Sequence, residues 1–272
     1  MSEPIRIADA VNFIKSVCSD IIDIGVVLGS GLGGFTDGLD IEAEIPYTDI
    51  PHFPVSTVKG HGGTLIIGNV GGKRVVIMSG RFHFYEGYTS TEVVFPIRVL
   101  IKLGVKTLLI SNAAGGVNPS FKVGDLMLIT DHISFSVVNP LIGKNYDELG
   151  PRFPDMSEPY SKKLISQAHE VATATGIELK EGIYFGVTGP SFETRAEYKM
   201  IKLLGADAVG MSTVQEVIAA VHGGVNVFAV SVITDLGIRE EENLITHDDV
   251  LDAAHAAAPK ITILFKKMIA LA

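Results

Sequence analysis

The sequence predicts an α/β fold built on a mixed β-sheet, and three observations carry that prediction. Candidate strands and candidate helices alternate along most of the chain. An uncharged, β-branched run at Ile24-Gly25-Val26-Val27-Leu28 reads as a buried strand, and it ends in a loop of glycines and one hydroxyl, Gly29-Ser30-Gly31-Leu32-Gly33-Gly34. Further on, Leu65-Ile66-Ile67 and Val75-Val76-Ile77-Met78 flank Gly71-Gly72 and read as a hairpin.

Composition narrows the function classes. With 272 residues, 47% hydrophobic and 19% charged, the chain reads as a packed protein with a substantial core. No repeat, low-complexity tract or linker divides it, so one domain over residues 1–272 is expected. No apolar run approaches the ~20 residues that span a bilayer. Early charges at Glu3, Arg6 and Asp9 leave no signal-peptide core, so no membrane partner is expected. Cys18 is the only cysteine, which precludes an internal disulfide or a thiolate zinc cluster and fits a reducing cytoplasm. A net charge of −9 argues against bulk nucleic-acid binding, which needs a basic footprint. A small anion is compatible with that charge if local amides, Arg and His capture it.

The glycine loop is the first candidate site. Its amide hydrogens and the Ser30 hydroxyl can converge on an anion such as phosphate. Gly29, Gly31 and Gly34 also fit a dinucleotide fingerprint, but that requires a second buried strand ending in an acid about 20 positions on. Asp49 has that spacing, yet 40–54 is polar and carries three prolines, so it does not read as such a strand. An ordinary tight turn also fits these glycines.

Later elements follow in order. Residues 89–103 read as a helix bent by Pro96. Leu108-Leu109-Ile110 is a strand running into Asn112-Ala113-Ala114-Gly115-Gly116, and 126–129 is another. A helix at 162–175 precedes a strand at 183–187, and 225–233 is a long buried strand. The last helix starts near Thr246 and is expected to break at Pro259. Thr194 with Glu197, and Thr213 with Glu216, have the spacing of capping boxes, and Gly223-Gly224 fits a helix stop. The irregular stretch 139–159 reads as a functional or interface loop.

Most candidate site residues fall where strands end, the place where open α/β sheets bind ligands. Arg81 can clamp a phosphate, and His83 and Tyr85 can meet an anion or a sugar, although the same segment reads equally as a surface loop rich in aromatics. Ala113 stands in a small-residue stretch that permits either ligand approach or simple packing. Phe192 can stack on a planar base. Glu193 precedes a helix, where it can accept from a base N–H or favour the helix dipole. Val209 and Met211 offer apolar walls. Ser212 lies at a helix start suited to phosphate or to ordinary capping. Thr234 and Asp235 end a strand but also suit a turn. His247 opens the final helix, and His61 sits among glycines. The other histidines (His52, His132, His169, His222, His255) show no metal-ligand spacing.

Read together, Gly-Ser-Gly-Leu-Gly-Gly, Gly-Arg-Phe-His-Phe-Tyr-Glu-Gly-Tyr, Asn-Ala-Ala-Gly-Gly-Val-Asn, Gly-Pro-Ser-Phe-Glu-Thr and Gly-Ala-Asp-Ala-Val-Gly-Met-Ser-Thr occur in the order found in one family. The chain resembles the trimeric purine nucleoside phosphorylases over nearly its whole length. The resemblance implies one α/β domain with a mixed, partly barrel-like sheet flanked by helices, and a homotrimer. It implies no metal or organic cofactor, with inorganic phosphate as co-substrate. The implied reaction converts a purine nucleoside and phosphate to a purine base and ribose 1-phosphate.

The resemblance assigns phosphate to Ser30, Arg81, His83, Ala113 and Ser212, with His61 beside them. It assigns ribose to Tyr85, Met211 and His247, and the base to Ala113, Phe192, Glu193, Val209, Thr234 and Asp235. His83, Glu193, Asp235 and His247 are the expected catalytic groups. Phe153 is expected to reach the neighbouring subunit's site. Asp235 departs from the family, which generally has Asn there in members selective for 6-oxopurines. An ionised Asp accepts from a 6-amino group and cannot donate to O6. Inosine and guanosine are therefore expected as substrates, with tolerance for adenosine. A methylthioadenosine phosphorylase is the alternative within the family, disfavoured by Ser30 and His247. A nucleoside hydrolase and a non-catalytic nucleotide-binding module are the alternatives outside it.

Overall fold

The computed structural model describes residues 1–18, 22–55, 63–238 and 245–272. The elements run α1 (Glu3–Val17), β1 (Ile24–Val27), β2 (Asp40–Pro46), β3 (Thr64–Val70), β4 (Lys73–Ser79), α2 (Ser90–Leu103), β5 (Thr107–Gly116) and β6 (Leu126–Ile133). They continue with α3 (Lys162–Thr175), β7 (Leu179–Gly186), α4 (Arg195–Leu203), β8 (Ala208–Gly210), α5 (Val214–His222), β9 (Asn226–Leu236) and α6 (His247–Leu271).

The strands form one mixed sheet in the order β2-β3-β4-β1-β5-β8-β7-β6-β9, and β5 pairs again with β9. That extra pairing closes β5, β8, β7, β6 and β9 into a ring, the expected barrel-like half. The hairpin is present: Val70 pairs with Lys73 across Gly71-Gly72, both at positive φ, as a two-residue turn requires.

The core explains the burial of the central strands. Ile24 and Val26 of β1 pack into one apolar cluster with α3 and α6, and Val27 packs into another with α1, α2 and α5. The sheet is thus covered on both faces, and β1 is buried at every position. Gly25 takes the third place on the α2 side. A Cβ there would stand 2.9 Å from Leu108 of β5 and 3.5 Å from Leu100 of α2, so side chains of both elements close onto backbone. Among the described residues, no helix is long and apolar enough to cross a membrane.

Several expectations are corrected. α6 runs unbroken through Pro259. A proline inside a helix costs about 3 kcal/mol, but Ala257, Ile261, Leu264 and Phe265 on either side are buried against the sheet, and that packing outweighs it. α1 had no counterpart in the sequence reading. Asp40–Pro46 is a strand after all, at the exposed edge, where a terminal Pro46 removes no needed hydrogen bond. Asn112–Gly116 continues β5 rather than following it, and Thr234 and Asp235 lie inside β9. The ring pairings supply the backbone partners that carry these strands past their apolar runs. The Thr194–Glu197 capping box forms, whereas Thr213 makes no side-chain cap and stands at φ 69°.

Candidate active site

The ends of β1, β5, β8 and β9 meet the starts of α5 and α6 around a cavity of about 390 Å³. This falls in the size range of small-molecule sites. Its wall includes Ser30, Arg81, His83, Tyr85, Ala113, Phe192, Glu193, Val209, Met211, Ser212, Thr234, Asp235 and His247. All the residues expected from sequence are therefore brought together except two. His61 lies outside the described residues. Phe153 is 87% exposed and borders a different surface cavity of this chain.

One end of the cavity is built to hold charge. Ser30 leaves β1 in the glycine loop. The close approaches of that loop are to protein: a Cβ at Gly29 would stand 2.8 Å from Asn112 Cα, and one at Gly31 would stand 2.8 Å from Ala254 of α6. These glycines set the loop between β5 and α6, and Ser30 lines the cavity as a result. Arg81 follows β4. It is 1% exposed, which removes the surface-loop reading.

The fork of Arg81 is committed to a carboxylate. Nε and Nη2 each donate to Glu216 at 3.0 Å, and Nη1 donates to the Ser111 carbonyl at 2.7 Å. Glu216 was read from sequence as a capping residue; it is instead the buried counter-charge of Arg81. What the site receives is a positive charge fixed in place rather than a mobile clamp.

His83 is oriented by Glu86, which accepts from the His83 backbone N–H at 2.8 Å and lies 3.0 Å from Nδ1. That contact fixes the ring proton on Nδ1. Tyr85 stacks on the imidazole at 4.6 Å and 15°. Burial lowers the His83 pKa and so favours the neutral ring, partly opposed by the bond to Glu86. Burial likewise pushes the Tyr85 phenol up to about 12. Ser212 sits before α5, its hydroxyl 3.1 Å from that of Thr213, which in turn accepts from Asn112 at 2.9 Å. Thr213 is held within this network at φ 69° and ψ −52°, the centre of a tight turn in which the Val214 N–H donates to the Ser212 carbonyl at 2.7 Å, and strain of this kind concentrates at functional loops.

The opposite end carries two carboxylates. A register shift between β5 and β9 pairs Ala114 with Ile233 and Gly115 with Asp235, leaving Thr234 as the extra residue. Such a bulge re-aims side chains. The Thr234 hydroxyl lies 3.1 Å from Asp235 Oδ1 and 3.3 Å from the Ala114 carbonyl. Glu193 stands just outside the capped start of α4. Burial raises its pKa, the charge of Asp235 raises it further, and hydrogen bonds to Tyr198 and to backbone pull it down in part.

Tyr198 also lines the cavity and was not anticipated. It comes one turn into α4, which the capping box at Thr194 phases, so the helix start was a usable signal. Glu216 had no such signal, because its partner lies 135 positions away.

The sequence profile of the phosphorylase superfamily matches residues 23–270. The chain is 51% identical over 246 residues to purine nucleoside phosphorylase 1 of Geobacillus stearothermophilus, covering 90% of each. It is 50% identical over 242 residues to the purine nucleoside phosphorylase of Mus musculus, covering 86% of this chain and 84% of that protein. Isoform 2 of the Schistosoma mansoni purine nucleoside phosphorylase, solved with cytosine and ribose-1-phosphate, superposes with a TM-score of 0.92 at 44% identity, over 97% of this chain and 95% of that one. Purine nucleoside phosphorylase of the same organism solved with adenosine superposes at 0.91 with 41% identity, again over 97% and 95%.

Proposed function

The chain belongs to the phosphorylase superfamily as a purine nucleoside phosphorylase, and from that premise we propose that inosine and guanosine are its main substrates, with adenosine admitted through Asp235. The observation that carries the reading is one cavity whose wall brings Arg81 and the hydroxyl residues Ser30 and Ser212 together with two carboxylates, Glu193 and Asp235. Phosphate would lie against Ser30, Arg81, His83, Ala113 and Ser212, with His61 as a further contact. Ribose would lie against Tyr85, Met211 and His247, and the purine between Phe192 and Val209 with its polar edge toward Glu193, Thr234 and Asp235.

Chemistry follows from that placement. The C1′–N9 bond breaks with its electron pair leaving on the purine, and positive charge develops on the ribose, as in other glycosidic cleavages. A phosphate oxygen then forms the new bond to C1′, giving ribose 1-phosphate, and the purine anion takes up the proton that the phosphate sheds, giving the free base. Holding phosphate and nucleoside in one cavity removes much of the entropic cost of their encounter. Ionised Glu193 accepts the N1–H of a 6-oxopurine, an interaction that strengthens as the base gathers electrons. Phosphate is the nucleophile, so the sequence of steps calls on no protein nucleophile, metal or organic cofactor.

The His247 side chain on the cavity wall suits a 5′-hydroxyl better than a methylthio group, which prefers an apolar pocket, so a methylthioadenosine phosphorylase is not favoured. Phe153, together with exposed Phe135 and Ile142, supports a homotrimer in which Phe153 completes a neighbour's site. The lone cysteine supports a cytoplasmic location, and the net charge of −9 argues against a nucleic-acid partner.

A panel of inosine, guanosine, adenosine and methylthioadenosine with phosphate tests the substrate reading. The expected order places inosine and guanosine first, adenosine measurable and methylthioadenosine last, with a trimer mass for the same preparation in light scattering. Methylthioadenosine turned over faster than inosine would reverse the assignment.

A further inference from the structure

At the base end, the polar edge of the cavity is arranged by a residue outside the expected set. Tyr198 is 5% exposed and packs its ring among Val117, Phe185, Ile201 and Val209. Its hydroxyl stands between the two carboxylates, donating to Asp235 Oδ2 at 3.3 Å and within hydrogen-bond reach of Glu193. The slot for the ring is cut from backbone. A Cβ at Gly115 would stand 2.8 Å from the Tyr198 hydroxyl and 3.1 Å from Asp235 Oδ2, and one at Gly237 would run into the ring itself. The phenol keeps its proton throughout the working pH range, because burial and then the charges of Asp235 and Glu193 raise its pKa far above the ordinary tyrosine value.

We infer that Tyr198 is a positioning residue for base selection: its hydroxyl, donated to Oδ2, holds the Asp235 carboxylate as a hydrogen-bond acceptor toward the C6 substituent, and this admits a 6-aminopurine. The inference rests on the proposed placement of the purine against Asp235. The logic is one of donors and acceptors. With the Tyr198 hydroxyl donating to one carboxylate oxygen and the Thr234 hydroxyl 3.1 Å from the other, the Asp235 carboxylate is oriented from both sides. An anion there accepts from a 6-amino group and repels a 6-oxo group. Without the phenol, the Asp235 carboxylate loses the donor that orients Oδ2, and its alignment toward a 6-amino group is lost. Tyr198 therefore sets the ratio between the two purine classes without touching the sugar or phosphate.

Tyr198→Phe keeps the ring and removes the hydroxyl. Steady-state kinetics with adenosine and with inosine should show the adenosine-to-inosine ratio of kcat/KM falling about tenfold. The fall should be carried by a higher adenosine KM, with the phosphate KM unchanged. In the Asp235→Asn background the same substitution should leave the ratio where it was, because the acceptor it positions is gone. An unchanged ratio, or equal losses for both nucleosides, overturns the inference, as does a native enzyme with no adenosine turnover. If Tyr198→Phe does not fold, Tyr198→Met, which fills the slot without a hydroxyl, is read by the same ratio. Absence of inosine phosphorolysis in the native enzyme would instead refute the substrate reading, so the two failures are distinct.

Discussion

Glu216→Ala should lower the free energy of unfolding by about 3–5 kcal/mol, the cost of leaving one partner of a buried ion pair uncompensated. Arg81 and Glu216 are 1% and 3% exposed, and Nε and Nη2 of Arg81 both end on Glu216. Removing the carboxylate takes the counter-charge and two acceptors from a buried guanidinium. Urea denaturation reads the loss. Because Arg81 also lines the cavity, the surviving folded enzyme should show a phosphate KM raised by about tenfold or more, in line with the loss of one well-placed charged contact. The double variant Arg81→Met with Glu216→Leu should recover much of the stability, since apolar groups of similar volume replace a buried pair at little cost. It should not recover phosphorolysis. A Glu216→Ala enzyme as stable as the native one would contradict the role given to this pair.

Glu193→Ala should lower kcat/KM for inosine by about 10²- to 10³-fold, the range seen when one preorganised group aimed at developing charge is removed. Adenosine should lose less than about tenfold, because its N1 carries no proton for Glu193 to accept. The two nucleosides thus diverge in the same variant. A pH dependence accompanies this. Burial, and then the charge of Asp235, raise the Glu193 pKa, and only the ionised form accepts N1–H. As pH falls through that raised value, inosine turnover should decline earlier than an ordinary glutamate would allow. Glu193→Gln should remove that acid limb from the inosine profile. Parallel losses for inosine and adenosine would place Glu193 away from the purine N1.

Much of this was legible in the chain because it is locally encoded. The hairpin at Gly71-Gly72 follows from two apolar runs and a turn that only glycine-like residues favour. The helix at Lys162–Thr175 begins at a serine cap and ends at Gly176 in the left-handed conformation. Site residues that end strands could be found as a set, because the parallel strands β4, β1, β5 and β9 deliver their ends to one rim.

What the sequence concealed is non-local. The ring closes through β8, only three residues long, and through the pairing of β6 with β9, whose partners lie about a hundred residues apart. Glu216 fits a capping box by spacing, yet its carboxylate is drawn to Arg81 because a buried guanidinium needs a counter-charge more than a helix start needs a cap. Pro259 obeys a local rule that tertiary packing overrides. The bulge that turns Thr234 and Asp235 into the cavity depends on register between β5 and β9, which neither strand encodes alone.

Phosphorus-31 NMR of a reaction containing inosine and inorganic phosphate tests the central claim most directly, since it watches the atom assigned to the Arg81 end of the cavity. Ribose 1-phosphate should appear in step with hypoxanthine, one for one, and base release should stop when phosphate is omitted. Hypoxanthine released with free ribose, at a rate indifferent to phosphate, would show that water rather than phosphate takes the sugar.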